Sequence, residues 1–112
     1  PIVGVLRDGL GVLDVAARLH PTPAVGGTPR ETALAFIRAH EPVPRGWYAG
    51  AFGWVEATGD GELVVALRSG LLRGSTARLY AGCGIVAGSD PLTEWTEAEA
   101  KLRPMLEALA GS

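Results

Sequence analysis

The sequence predicts an α+β fold in which an antiparallel sheet packs against helices. From Trp47 onward, apolar residues recur with a period of two, which is typical of strands. The last twenty residues instead have the spacing of an amphipathic helix. The connections between the apolar runs are short, and this favours antiparallel pairing because parallel strands need a long crossover.

The first part of the chain predicts two helices joined by a loop. A short helix is expected over Val12–Leu19, followed by a fixed, partly extended loop with the sequence HPTPAVGGTPR. A second helix is expected from about Pro29 to His40, with Thr28 as N-cap and Glu31 completing a capping box. Its expected buried residues are Ala33, Leu34, Phe36 and Ile37.

Three strands and a helix are expected in the second half. Tyr48–Glu56 should form a hairpin with a return strand over Leu63–Leu71, because the glycine-rich TGDGE between them is a turn signal. Residues 76–87 are expected to form a third strand, covered on both faces. Pro104 should kink or weaken the final helix. The apolar stripe of that helix, expected to lie against the sheet, is Trp95, Ala98, Leu102, Met105, Leu106 and Leu109.

Composition excludes several classes of protein. The chain has 112 residues, enough for one domain, and a net charge of −2, so it offers no basic footprint for nucleic acid. It contains no apolar stretch long enough for a membrane span and no signal-peptide pattern, which predicts a cytosolic protein. One cysteine, Cys83, allows no internal disulfide, and two histidines provide no zinc set.

Three charged residues near the end of the chain could carry chemistry. Glu94, Glu97 and Lys101 are spaced at i, i+3 and i+7, which places them on one stripe of the predicted helix. Two carboxylates at that spacing are natural ligands for a hard divalent cation. Glutamate and lysine one turn apart are equally the ordinary decoration of a solvated helix, so the spacing alone leaves both interpretations open.

Several phrases, taken together, resemble a known family. Five sequence motifs are similar, in this order, to the carboxy-terminal part of the chorismate-utilising enzymes, which share the anthranilate synthase component I-like fold. The motifs are LHPTPAVGGTPRE, RGWYAGAFGW, GDGELVVALRS, LYAGCGIVAGSDP and EWTEAEAKL. The resemblance covers the chain from about Leu10 onward. Within the family, PAVGGTPR with GWYAG is most like the isochorismate synthases. Anthranilate- or salicylate-forming relatives, and a non-catalytic α+β interaction module, are the alternatives.

The resemblance implies a substrate, chorismate, which carries two carboxylates. Arg68 and Tyr48 would receive the carboxylate of its enolpyruvyl arm, and Gly82 and Gly84 would let backbone N–H groups approach the bound anion. From the residues alone, Arg68 could equally be a strand-end arginine facing water and Tyr48 a core aromatic residue. Cys83 is interpreted as a small buried apolar residue rather than a nucleophile.

The resemblance also implies a magnesium ion. Glu97 would ligate Mg²⁺ directly, and Glu94 would support its hydration shell or ligate it too. Lys101 would neutralise the excess carboxylate charge and reach the substrate. Gly27 and Thr28 would form a wall of the pocket, although a loop and a helix cap explain both residues equally well.

The general base and general acid expected in the family belong to its amino-terminal half, and none of those motifs is present in this sequence. Residues 1–112 are therefore expected to be a carboxy-terminal fragment of a chorismate-binding domain, with no turnover by themselves. Exposed sheet edges should bind the missing half of the same enzyme or promote self-association.

Overall fold

The computed structural model describes residues 4–111, which fall into two compact units. The first unit ends at Val65 and the second begins at Ala66. The first contains α1 (Val12–Leu19), α2 (Pro23–Gly26), α3 (Arg30–His40), β1 (Ala51–Val55) and β2 (Gly61–Val65). The second contains β3 (Ser69–Arg73), β4 (Thr76–Tyr80) and α4 (Pro91–Ala110). The mixture of helices and antiparallel strands confirms the predicted α+β class.

The first unit is built on the antiparallel hairpin β1–β2. Its register places Ala51 opposite Val65 and Val55 opposite Gly61. The two backbones are so close that a Cβ atom at Gly53 would lie 1.9 Å from the carbonyl oxygen of Glu62. The hairpin therefore requires glycine at this position of β1. The first predicted strand is shorter than expected, because Tyr48 and Ala49 belong to the preceding turn.

Helix α1 is attached to this hairpin at its first residue. The Asp14 carboxylate accepts the N–H of Gly11 at 2.9 Å, and the N–H of Val12 donates to the carbonyl of Gly59 at 3.3 Å. These bonds supply partners for N–H groups that a helix start leaves open. The predicted apolar side of α1 faces β2 in part: Val12, Val15 and Ala16 are half-buried, whereas Leu19 is exposed.

The loop before α3 differs from the prediction. Residues Pro23–Gly26 form a single helical turn, α2, instead of an extended segment. The capping box predicted for α3 is wrong, because the N–H of Ala33 donates to the carbonyl of Pro29 at 2.9 Å. That bond makes Pro29 the N-cap, places Thr28 outside the helix, and leaves no side-chain cap. Of the predicted buried residues, Phe36 is exposed and stacks on His40.

The second unit contains a separate hairpin, β3–β4, so the predicted single return strand is wrong. The run Leu63–Leu71 is divided between β2 and β3, and Arg68 lies between them in the left-handed region with φ of 46°. The predicted three-stranded sheet is replaced by two two-stranded sheets. A two-residue turn joins β3 to β4, and Gly74 provides the positive φ, 58°, that such a turn requires.

The third predicted strand is also too long. Strand β4 ends at Tyr80, and residues 81–87 have no regular secondary structure. The burial expected for this segment is wrong as well, because Ile85 and Val86 are 70% and 71% exposed. Within the described part of the chain, no strand pairs with this segment.

Helix α4 begins and ends with clear signals. The Asp90 carboxylate accepts the N–H of Thr93 at 2.8 Å, and Gly111 ends the helix with a left-handed φ of 72°. The helix continues through Pro104 to Ala110. The predicted apolar stripe is only partly correct. The half-buried residues of the helix are Glu94, Ala98, Lys101, Leu102 and Met105, and the predicted Trp95, Leu106 and Leu109 are exposed. Between residues 4 and 111, no helix is both long and apolar enough to cross a membrane.

Candidate functional site

In the second unit, the charged stripe of α4 is tied to the segment that follows β4. The ammonium of Lys101 donates to the carbonyl oxygen of Gly82 at 3.0 Å and forms an ion pair with Glu97 one turn earlier. The side chain of Lys101 is 24% exposed, whereas that of Glu97 is 52% exposed. An ammonium has three N–H donors, so these contacts leave one for a further acceptor.

Glu94 lies one turn before Ala98 on the half-buried face of α4. A hydrogen bond from the Ser89 side chain is the main cause that lowers the pKa of this carboxyl group. Hydrogen bonding with Cys83 acts in the same direction, as does the positive charge of Lys101. The carboxylate of Glu94 is therefore held in its ionised form.

Cys83 forms a hydrogen bond with Glu94. Its thiol donates to the backbone carbonyl of Glu94, with an Sγ–O distance of 3.4 Å. Hydrogen bonding with Glu94 raises the pKa of the thiol, and desolvation adds to the effect. A raised pKa disfavours the thiolate, which is the nucleophilic form of cysteine. This agrees with the expectation that Cys83 is not a nucleophile, although the residue is half-buried and not buried as expected.

Arg68 and the two glycines Gly82 and Gly84 flank the same end of the hairpin β3–β4 along the chain. The register pairs Ser69 with Tyr80, so Arg68 precedes the first pair and Gly82 follows shortly after it. Arg68 is exposed, and its φ of 46° is uncommon for a residue with a side chain. A Cβ atom at Gly84 would meet no other atom within 4 Å, so the space beside it is open.

The remaining predicted residues belong to the first unit. Gly27 has a φ of 77°, and a Cβ atom there would lie 2.6 Å from that of Ala33, so packing alone requires glycine. Thr28 is exposed, and Tyr48 is half-buried in a turn. In the second unit, Lys101 therefore contacts both Glu97 and Gly82, and Glu94 bonds to Cys83 beside Gly82. Gly27, Thr28 and Tyr48 lie in the first unit.

The predicted metal ligands are the two carboxylates of α4, Glu94 and Glu97. Between residues 4 and 111, no group of three or more His, Cys, Asp or Glu side chains is arranged to hold a metal ion. Glu97 lines a groove formed by residues of α4 alone, together with Leu92, Thr93, Thr96 and Ala100. A cation bound at Glu94 and Glu97 would therefore need further oxygen donors.

Sequence reasoning missed three residues that contact the predicted site. Ser89 and Cys83 bond to Glu94, and Arg45 lies next to Tyr48, with its guanidinium carbon 5.8 Å from the centre of the tyrosine ring. Arg45 is the first residue of the RGWYAGAFGW motif quoted in the sequence analysis, three residues before Tyr48. That short separation was the available signal.

Comparison with known proteins defines the class. A family model described as "Chorismate binding enzyme" matches residues 1–110. The chain belongs to this family.

Curated relatives are more specific. The chain is 54% identical over 111 residues to isochorismate synthase MenF of Bacillus subtilis, a match that covers 99% of this chain and 24% of that protein. It is 50% identical over 110 residues to the salicylate biosynthesis isochorismate synthase of Pseudomonas aeruginosa, covering 98% of this chain and 23% of that one. The chain thus spans about a quarter of the length of these relatives.

A solved structure confirms the fold. The chain superposes with a TM-score of 0.86 and 45% identity on a crystal structure assigned to DhbC of Bacillus anthracis, a 2,3-dihydroxybenzoate-specific isochorismate synthase. The match covers 91% of this chain and 27% of that one. The fold predicted from the resemblance, part of a chorismate-binding enzyme, is therefore confirmed.

Proposed function

We propose that this chain is part of an isochorismate synthase, an enzyme that converts chorismate to isochorismate. The observation that carries this proposal is the 54% identity to MenF across 99% of the chain. Because the chain spans about a quarter of that relative, the activity is assigned to a longer polypeptide of which it forms part. A cytosolic location is part of this proposal.

Arg68 is proposed to bind the enolpyruvyl carboxylate of chorismate. A guanidinium suits this role because it holds a carboxylate through two parallel hydrogen bonds. The left-handed backbone of Arg68 supports the assignment. Glycine would adopt this conformation without strain, so an arginine that keeps it is best explained by a need for the side chain.

Gly82 and Gly84 are proposed to bring backbone N–H groups close to the bound anion. The open space beside Gly84 supports this, because packing within the chain does not require a glycine there. By the family resemblance, Gly27, Thr28 and Tyr48 of the first unit are proposed to contact chorismate. The glycine at position 27 serves local packing in addition, as its contact with Ala33 requires.

Mg²⁺ is proposed to bind at Glu97 and Glu94, and the chemistry of these donors fits the ion. Both are hard oxygen ligands, and hydrogen bonds keep Glu94 ionised. Mg²⁺ commonly takes one or two protein carboxylates and completes its shell with waters and an anionic substrate, so a set with two carboxylates is sufficient. When bound, the ion would offset the negative charge of the ring carboxylate of chorismate.

Lys101 is proposed to act beside these carboxylates. Its ion pair offsets the charge of Glu97, and its hydrogen bond fixes the backbone at Gly82. The third N–H of the ammonium is proposed to reach the ring carboxylate of the substrate. Lys101 thus orients both the glycine segment and the substrate, and it is not proposed as the general base.

The reaction adds water to the ring of chorismate and expels a hydroxyl group, which requires a general base and a general acid. By the family resemblance, we assign both groups to the rest of the polypeptide. The contribution of this chain is therefore to bind and orient the substrate and to supply carboxylates for the ion.

The test uses the longer polypeptide that contains this segment. We expect chorismate with Mg²⁺ to yield isochorismate, identified by chromatography and mass. Glu97→Gln should weaken the response of the rate to Mg²⁺, because the neutral amide is a poorer ligand. Anthranilate formed in the presence of ammonia, or salicylate formed directly, would instead assign the protein to those branches of the family.

A further inference from the structure

One arginine of the first unit connects two of the proposed substrate-contacting segments. The guanidinium of Arg45 is held by Glu41 through two bonds: Nε donates to Oε2 at 2.8 Å and Nη2 donates to Oε1 at 2.6 Å. Its Nη1 donates to the backbone carbonyl of Val25 at 2.7 Å. The hydrogen bonds with Glu41 raise the pKa of Arg45, so the group keeps its charge.

The bond to Val25 fixes the segment that contains Gly27. Val25 lies in the single turn α2, and the last carbonyls of a helical turn have no partner within it. Arg45 supplies that partner immediately before Gly26, Gly27 and Thr28. Gly26 is buried, with a Cβ position 3.2 Å from the Pro21 side chain, so the segment packs closely and has little room to move.

The guanidinium of Arg45 also lies over the aromatic ring of Tyr48. Its central carbon lies 5.8 Å from the ring centre, within the range of a cation–π contact. The N–H of Tyr48 also donates to the carbonyl of Arg45 at 2.9 Å, which closes the turn. The next residue, Ala49, is buried and has a left-handed φ of 62°, so the turn has one defined conformation.

We propose that Arg45 is a positioning residue that holds the Gly26–Thr28 segment and Tyr48 in one fixed arrangement for chorismate. The proposal rests on the proposed function, because it takes both segments to contact the substrate. Arginine is required because its planar fork makes three directed hydrogen bonds while it rests against the ring, whereas the ammonium of lysine is a point charge. Arg45 itself does not touch the substrate in this arrangement.

The kinetic test compares Arg45→Lys with Arg38→Lys in the longer polypeptide. Arg38 is an exposed arginine of the last turn of α3, so it provides the same chemical change without the three bonds. For Arg45→Lys we expect the KM for chorismate to rise about tenfold and kcat to change less than about twofold, because displaced pocket walls lose binding made equally in ground and transition states. Arg38→Lys should leave both unchanged.

A second variant covers the case in which Arg45→Lys fails to fold. Glu41→Gln keeps the arginine but removes the charge that holds it, and we expect a smaller rise in KM in the same direction. A fall in kcat at unchanged KM, in proportion to the loss of folded protein, would mean that Arg45 serves stability alone and would overturn the proposal.

Hydrogen–deuterium exchange separates this proposal from the proposed function. In Arg45→Lys, the peptide that covers residues 20–29 should exchange at least about threefold faster, because the bonds of a loosened segment open more often. Faster exchange in a polypeptide that does not convert chorismate would reject the proposed function, but it would support the role of Arg45 in holding the Gly26–Thr28 segment. Unchanged exchange together with unchanged KM would reject the role of Arg45.

Discussion

At the scale of single residues, glycine positions separate the needs of the fold from those of a ligand. Gly27 and Gly53 are both required by neighbouring atoms of the chain, at 2.6 Å and 1.9 Å from their Cβ positions. Gly84 has no such neighbour within 4 Å and no left-handed φ. Of these three glycines, Gly84 is therefore the one whose missing side chain is best explained by binding rather than by packing within residues 4–111.

Gly84→Ala tests this distinction. We expect the free energy of unfolding to stay the same or rise by about 0.5 kcal/mol, because alanine reduces the freedom of the unfolded chain and meets no atom here. Chorismate binding by the longer polypeptide should weaken, because the new methyl group occupies space beside the backbone. Urea denaturation and a chorismate titration measure the two effects. Gly27→Ala is the contrasting control, and it should lose stability.

Arg68→Gly makes a prediction with two opposite parts. The left-handed backbone costs an arginine about 1–2 kcal/mol, and glycine relieves this cost while adding about 0.5–1 kcal/mol of chain entropy. The free energy of unfolding should therefore stay the same or rise by up to about 1.5 kcal/mol. Chorismate affinity should fall by at least roughly tenfold, because a charge-assisted hydrogen-bonding group is lost. Arg68→Lys, which keeps the charge, should recover part of the affinity; equal affinity in all three proteins would contradict the assignment.

At the scale of the elements, α4 depends on its first turn. Hydrogen bonds from the side chain and backbone of Thr93 lower the pKa of Asp90 below its ordinary value of 3.8. A carboxyl whose pKa is lower when folded contributes stability above its unfolded pKa and loses that contribution as pH falls through the folded value. The stability that Asp90 contributes should therefore be lost as the pH falls below 3.8.

Asp90→Asn and Asp90→Ala separate the cap from its charge. Asparagine keeps the acceptor for the Thr93 N–H and does not titrate, so its helix should melt close to the wild-type temperature at neutral pH. The Asp90→Asn variant should also lose less stability in acid, because it lacks the carboxyl that titrates in the wild type. Alanine removes the acceptor and should lower the midpoint at every pH. Circular dichroism melts across a pH series check this; identical profiles for both variants would refute the capping role.

The elements also show what the sequence could predict. The predicted helix Val12–Leu19 has the bounds of α1, and the helix predicted over the last twenty residues corresponds to α4, although only part of each predicted apolar side is half-buried. The prediction of a single strand over Leu63–Leu71 was wrong, because its Val and Leu residues have the same strand propensity on both sides of the break at Arg68. Residues 66–68, where the chain breaks, contain neither glycine nor proline, and the nearest signal is the Ser69-Gly70 pair that opens β3. The N-cap of α3 failed similarly, because Thr28 and Pro29 allow two helix starts one residue apart.

The candidate site could be predicted only in part. The spacing of Glu97 and Lys101 correctly placed the two on one stripe of α4, where they form an ion pair. The bonds from Ser89 and Cys83 to Glu94 depend on how residues 81–90 turn back toward the helix, and no periodic pattern encodes that path. Contacts between elements required the structure.

At the scale of the whole molecule, large apolar side chains are exposed in both units. Phe52 of β1 is 68% exposed, and Trp95 of α4 is 65% exposed. Each hairpin has only two strands, so both of its edges have unpaired backbone groups, and two-stranded hairpins are marginally stable alone. Such faces suit a segment that packs against further polypeptide, as the length of the relatives suggests.

The 112-residue chain expressed by itself should therefore self-associate and bind an apolar fluorescent dye, without forming isochorismate from chorismate and Mg²⁺. Size-exclusion chromatography at several concentrations, dye fluorescence and product analysis measure these properties. Phe52→Ser with Trp95→Ser should reduce both association and dye binding, whereas Thr58→Ser, a change in the polar hairpin turn, should not. A monomer that binds no dye would contradict this expectation, and product from the isolated chain would locate a complete active site within it.

The bonding of Lys101 has a practical consequence. It is the sole lysine of the sequence, and its ammonium contacts both Glu97 and the Gly82 carbonyl. An acylating reagent therefore has a single side-chain target in this segment. The speed of that labelling would report, in unmutated protein, whether the contacts around the ammonium are intact, and slower labelling with chorismate present would mark the ligand's footprint.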